Sequence, residues 1–150
     1  MSKLTSPAIV LAVFLLDRLT KAAAVDRLYM KSVQVLPFFR LTWAENTGVS
    51  FGLFTNNNLF FLVFSALLVC ALLLFRRRLQ AHGRAAAVGL ALVLGGALGN
   101  LYDRIAYGFV VDFLDFSFFP AVFNAADSAI TVGALLLAWG MRERSETRKT

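Results

Sequence analysis

The chain has 150 residues, room for one domain, and 59% of them are apolar, with a mean hydropathy of +0.70. Soluble domains are roughly 45–50% apolar, so the composition argues against an ordinary water-soluble fold and for a membrane protein. The net charge of +6 does not point to nucleic acid, because the basic residues gather at the ends of apolar runs, as in positive-inside loops, and form no stripe interleaved with aromatics. A single cysteine, Cys70, makes no intrachain disulfide and no multi-cysteine metal site. It lies in an apolar run and reads as a small buried hydrophobe, while the single His82 falls in a basic loop and reads as solvated.

The first apolar run extends from Pro7 to Leu16 and leads into Asp17-Arg18-Leu19-Thr20-Lys21. The three charges argue against a cleaved leader, whose apolar core passes directly to small residues. A transmembrane helix over about 7–25 is predicted, with a polar face in its last turns. Asp17 and Lys21 are four apart, so they share that face and pair. The pair anchors the helix at the interface, or Asp17 also reaches a functional cavity.

Between 26 and 58 the chain is mixed. Val33, Val35, Phe39, Leu41 and Trp43 alternate as in short strands. Glu45-Asn46-Thr47-Gly48 is a turn signal, with Val49-Ser50-Phe51-Gly52 as a return strand. A second helix over about 59–75 carries no charge and is stopped by Arg76-Arg77-Arg78. A third, over about 85–101, holds Gly95 and Gly99 in the spacing that lets helix backbones approach closely, and Asn100 can hydrogen-bond inside the bundle. A fourth spans about 126–141 and ends in a basic tail.

The N-terminus, the arginine-rich loop and the tail together carry nine of the fifteen Lys and Arg residues. With four spans, both termini then face the cytoplasm. The segments 26–58 and 102–125 face outward together, which places Asn46, Asn100, Asp112 and Asp127 near one surface. The expected architecture is therefore a four-transmembrane-helix bundle, an all-α membrane protein with a small extracytoplasmic β element and an aromatic loop at the membrane interface.

Four of the nine acidic residues fall between Gly95 and Thr131. Asp112 is enclosed by Phe109-Val110-Val111 and Phe113-Leu114, and Asp127 opens an apolar run. Carboxylates at the edge of hydrocarbon are costly and therefore functional candidates. Asp127 has a second reading: Asn124 three residues earlier makes a capping-box pattern, and acids suit helix starts. Asp103-Arg104 reads as a local ion pair or as a brace for the active loop, and Asp115 as a solvated acid without a partner. The loop from Ile105 to Phe123 has six phenylalanines and a tyrosine, which should hold it along the membrane surface.

Two acids at one edge permit aspartyl chemistry. Close carboxylates cannot both ionise easily, so one keeps its proton. The ionised acid takes a proton from water, the water attacks a carbonyl, and the protonated acid donates to the carbonyl oxygen or the leaving nitrogen. The pair titrates jointly and neither acid has a fixed role, although the helix dipole favours charge on Asp127. A proton or ion transporter would need acids nearer the bilayer middle. A hard-cation site on Asp112 and Asp115 lacks a dense set of oxygen ligands. Neither a metal nor a cofactor is expected. A non-catalytic assembly factor would tolerate loss of both acids.

Five segments in order, Asp17 to Lys21, Glu45 to Gly52, Gly95 to Arg104, Val110 to Phe113 and Phe123 to Ile130, resemble those of lipoprotein signal peptidase (signal peptidase II) across essentially the whole chain. The resemblance implies an aspartic endopeptidase of the bacterial cytoplasmic membrane that cuts prolipoproteins just before a diacylglyceryl-modified cysteine. It implies Asp112 and Asp127 as the catalytic acids, with Asp17, Asn46, Asn100, Asp103, Arg104 and Asn124 in support. Lys21 joins them as the partner of Asp17, and Gly48 as a clamp on the substrate from its turn. The substrate would enter sideways from the bilayer beneath the aromatic loop, with membrane lipid around a monomeric enzyme.

Overall fold

The structure, a computed structural model, describes residues 5–48 and 57–147. Lys3, the expected return strand over Val49-Ser50-Phe51-Gly52, and the tail residues Arg148 and Lys149 lie outside the described residues. Four helices carry the chain: α1 (Thr5–Leu28), α2 (Asn58–Gln80), α3 (Arg84–Ala106) and α4 (Ala125–Thr147). Four strands, β1 (Ser32–Leu36), β2 (Phe39–Asn46), β3 (Val110–Phe116) and β4 (Val122–Phe123), form one antiparallel sheet in sequential order. The helices run beyond the predicted spans by a few residues at one or both ends. The basic stop signals, such as Arg76 and Arg77, are good helix formers and extend the helix past the apolar run. Among the described residues, α2 and α3 are long and apolar enough to cross a membrane. The other two long helices, α1 and α4, carry charges along their length.

At the centre of the bundle, α3 packs against each of the other helices. The small residues of its sequence make this possible. A Cβ added at Gly95 would lie 2.7 Å from the Val13 Cβ of α1, and one at Gly96 would lie 2.5 Å from the Ala126 carbonyl oxygen of α4. The neighbouring backbones therefore occupy the space a side chain would need. Gly99 is covered by the Asp17 carboxyl, so the same glycine face that packs α1 also admits its buried acid. A second apolar cluster of Val69, Leu90, Leu94 and Ala97 joins α2 to α3. Cys70 is exposed on the outside of α2, not buried as the apolar run suggests. The helix touches the bundle through one narrow face, and apolar residues elsewhere on it point outward, as expected in lipid.

The alternating run around Val33 to Trp43 becomes the β1–β2 hairpin, with Gln34 opposite Arg40 and Ser32 opposite Thr42. The segment expected as an aromatic interfacial loop contains two strands, β3 and β4. β3 pairs with β2 and β4 pairs with β3. The cause lies in Val110, Val111 and Phe113, β-branched and aromatic residues that fit a pleated surface; all three are buried, and Val111 and Phe113 pack against Ala24 and Leu28 of α1. Trp43 packs edge-on against Tyr29 at 5.5 Å and Phe109 at 6.4 Å, which closes the sheet onto the end of α1. The loop character survives around Phe118 and Phe119, which remain exposed, Phe118 beside Phe38 and Phe119 beside Phe123.

Candidate active site

The site lies where the end of α3, the start of α4 and strands β2 and β3 converge. Its geometry begins with a helix cap. The Asn124 Oδ1 accepts the backbone N–H of Asp127 at 2.9 Å, and the Asp127 Oδ2 accepts the backbone N–H of Asn124 at 3.3 Å. This reciprocal pair is a capping box, and it fixes the Asp127 carboxyl at the first turn of α4. The side-chain NH2 of Asn124 is then free to reach across. It donates to the Asp112 Oδ1 at 2.6 Å and to the Asn100 Oδ1 at 3.2 Å. Asn100 in turn donates from Nδ2 to the Asp127 Oδ1 at 2.8 Å. Asp112 and Asp127 are thus joined through two asparagines contributed by α3 and the start of α4.

Asp112 enters from β3. In the sheet register Ala44 is opposite Asp112 and Asn46 opposite Val110, so Asn46 is the diagonal neighbour two residues along, close enough for side-chain contact. Asn46 donates from Nδ2 to the Asp112 Oδ2 at 2.9 Å, while the backbone N–H of Gly48 holds the Asn46 Oδ1 at 3.1 Å. Asp112 is 1% exposed. Its carboxyl is pushed up to about 7, first by burial and then by the charge of Asp127, against the hydrogen bonds from Asn46 and Asn124 and the charge of Lys21.

Behind the pair lies a buried ion cluster. Lys21 Nζ stands 3.0 Å from the Asp17 Oδ2 and 2.8 Å from the Asp103 Oδ2, and Arg18 Nη2 stands 2.9 Å from the Asp17 Oδ2 and 2.6 Å from the Asp103 Oδ1. Two cations thus balance two anions, as burial demands. The cluster is tied to α3, α4 and β3. Lys21 also donates to the Asn100 Oδ1 at 2.8 Å. Because an ammonium only donates, this contact turns the Asn100 oxygen toward α1 and its NH2 toward Asp127. Asp17 Oδ1 accepts the Ala126 N–H of α4 at 3.1 Å, and Asp103 Oδ2 accepts the Val111 N–H of β3 at 3.2 Å.

Asp103 and Arg104 do not form the local ion pair that their adjacency suggests. Consecutive residues lie about 100° apart around a helix, so Asp103 braces β3 while Arg104 acts on the carboxylates. The Arg104 guanidinium lies 5.2 Å from the Phe61 ring centroid and makes one long contact, 3.5 Å, to the Asn58 Oδ1. Its charge acts on both Asp112 and Asp127, and its buried Nε has no hydrogen-bond partner. Asp115 is not partnerless: Arg40 holds it at 2.6 Å from across the β2–β3 ladder. That pair stands apart from the site. Sequence reasoning gave no role to Arg18 or Asn58. The signal for Arg18 was a third charge in a helix otherwise fit for lipid. For Asn58 it was the polar triplet Asn56-Asn57-Asn58 immediately before an apolar helix.

A mostly helical chain with two bilayer-length apolar helices, a small sheet at one end and two carboxylates linked through asparagines between them belongs to the class of membrane enzymes. Two solved structures share its architecture. One, described as a bacterial membrane enzyme determined by the in meso method at 2.3 Å, matches with a TM-score of 0.83 at 28% identity, covering 97% of this chain and 92% of that one. Another, determined by the same method at 1.9 Å, matches with a TM-score of 0.82 at 31% identity, covering 93% and 94%. Residues 9–142 match the family model described as Signal peptidase (SPase) II, and the chain belongs to that family. The lipoprotein signal peptidase of Caldanaerobacter subterraneus is 44% identical, covering 89% of this chain and 94% of the relative. That of Burkholderia thailandensis is 48% identical, covering 86% and 82%.

Proposed function

We propose that the protein is an aspartic endopeptidase that removes the signal peptide from diacylglyceryl-modified prolipoproteins, cutting on the N-terminal side of the lipidated cysteine. The observation that carries this reading is the hydrogen-bonded path from Asp112 through Asn124 and Asn100 to Asp127, in a chain of the signal peptidase II family.

The two acids share one proton near neutral pH. Asp112, deeply buried and pushed up to about 7, is the better holder of it. Asp127 is at the amide-rich start of α4, where a negative charge is favoured, and acts as the base. A water between them loses a proton to Asp127 while its oxygen attacks the peptide carbonyl carbon. Asp112 gives its proton to the carbonyl oxygen, forming a neutral tetrahedral gem-diol. Collapse returns a proton to the leaving nitrogen, the C–N bond breaks, and an acid and an amine are released. Arg104, with donor capacity unspent and a buried Nε unpaired, is placed to polarise a substrate carbonyl. Asn46 and Gly48 fix the rotamer of Asp112 from the sheet.

Four helices of 23 or 24 residues are long enough to cross a bilayer, about 20 residues being sufficient. In this reading all four span the cytoplasmic membrane, both termini are cytoplasmic, the monomer is the working unit, and the precursor reaches the acids laterally from the membrane. The turn at Gly48 clamps it and the exposed Phe118 and Phe119 rest at the interface. Replacing Asp112→Asn or Asp127→Asn should reduce cleavage of a lipidated precursor by at least about 10³-fold, the scale for losing an essential acid–base group, with the protein still folded in the membrane fraction. Substantial turnover by either variant would refute the pairing.

A further inference from the structure

A groove of about 1290 Å3 lies between α1, α2 and α3, away from the carboxylate pair. It is larger than the roughly 300–1,000 Å3 of small-molecule clefts. Along α3 it extends from Arg84 to Ile105, about 32 Å at 1.5 Å per residue, matching a hydrocarbon core of about 30 Å. Its walls are apolar, with Leu73 from α2, Leu94 from α3 and Leu11 from α1. Its two ends differ. Tyr102 and Ile105 line one end, and Arg76, Arg77 and Arg84 line the other. Among the described residues, none of these three arginines is in an ion pair. The same end holds Gly83, which precedes α3 and offers its first-turn amides no side-chain cap. The positive end of the helix dipole therefore adds to the three guanidinium charges.

We propose that this groove binds an anionic phospholipid from the leaflet at the arginine end, with its phosphate among Arg76, Arg77 and Arg84 and its acyl chains along Leu73 and Leu94. Charge selects this occupant. A signal helix lying in the groove with its basic leading segment at the arginine end would set cations against cations. A choline headgroup would carry a compensating cation into the same cluster. A phosphatidylglycerol-type headgroup brings net negative charge and matches both the arginines and the uncapped helix start. Such a lipid would fill the space between α1 and α2, which otherwise meet mainly through α3. Lipid binding here does not depend on peptidase activity.

Native mass spectrometry of the full chain, from micelles containing phosphatidylglycerol and phosphatidylcholine with identical acyl chains, tests this. The wild type should retain one phosphatidylglycerol with at least about tenfold preference, since each basic residue near an anionic lipid adds a factor of about five. The triple variant Arg76→Gln, Arg77→Gln, Arg84→Gln should lose the preference. Leu73→Trp, which narrows the groove without altering charge, should lower retention of either lipid. Equal retention of both lipids by the wild type, a preference that survives the triple substitution, or capture of a precursor's signal helix by a photo-crosslinker at Leu11 would each overturn the proposal.

Discussion

Asn124 occupies the junction of three demands: it starts α4, holds Asp112 and touches Asn100. Its side-chain oxygen is committed to the helix cap, which leaves only N–H donors for the acids. The acid it holds should make both stability and activity depend on pH. For Asp112 the folded value, about 7, lies above the unfolded value of about 3.9. The folded chain therefore holds this proton more tightly than the unfolded chain. The resulting stabilisation is fully present below about pH 4 and is lost as pH rises to about 7. From the wild type's midpoint in detergent, measured between pH 4 and 8, this contribution should be missing in Asp112→Asn, so the variant should show a flatter profile. Parallel profiles would contradict the shift. In the proposed reaction the same proton is needed for catalysis, so kcat/KM should fall on the alkaline side with an apparent pKa near 7. Lys21 offers a different test. Replacing Lys21→Met leaves Asp17 and Asp103 with Arg18 alone, and unbalancing a buried charge group costs about 3–5 kcal/mol. The thermal midpoint should drop by about 10 °C, with loss of cleavage as Asn100 is released. A variant with both unchanged would show the cluster to be dispensable.

At the level of elements, the approach of α3 and α4 sets the distance between the asparagine path and the start of α4. Gly96 is a close approach beside the site, with the Ala126 carbonyl oxygen 2.5 Å from where a Cβ would be. Gly96→Ala forces backbone to move, and overpacking of this kind costs about 1–3 kcal/mol. Because Ala126 is next to Asp127, the substitution should lower kcat more than it raises KM. Unaltered kinetics and stability would show that the helices can part without moving the acid. The helices themselves were legible because long uncharged runs and arginine stops have few other readings, and the Gly95/Gly99 spacing pointed correctly to close packing. The β1–β2 hairpin was legible from alternation. β3 was not, because its phenylalanines satisfy a membrane-surface loop as well as a strand. What decides between them is pairing with β2, some 70 residues earlier in the chain, which no local window contains. The same non-local pairing explains why Asp115 looked partnerless: Arg40 meets it only across that ladder.

Across the whole molecule, charges that are expensive in hydrocarbon have been concentrated at one end of an apolar bundle. Asp17, Arg18, Lys21 and Asp103 neutralise one another there and hold α1, α3, α4 and β3 around Asp112 and Asp127. The sequence marked out most members of this assembly, because each is a polar residue in apolar surroundings. It did not show how they connect, since Asp103 and Arg104, adjacent in the chain, serve different partners, β3 and α1 for one and α2 for the other. The small sheet covers the same end and presents aromatic residues such as Phe118 and Phe119, side chains suited to a membrane boundary. The most direct test is to give the purified protein a precursor peptide with a diacylglyceryl cysteine and an otherwise identical peptide without the lipid, and to locate any cut by mass spectrometry. One cut immediately before the modified cysteine, with the unlipidated peptide left whole, is the predicted result. Equal cutting of both peptides, cutting at another bond, or no cutting of the lipidated peptide would contradict the account.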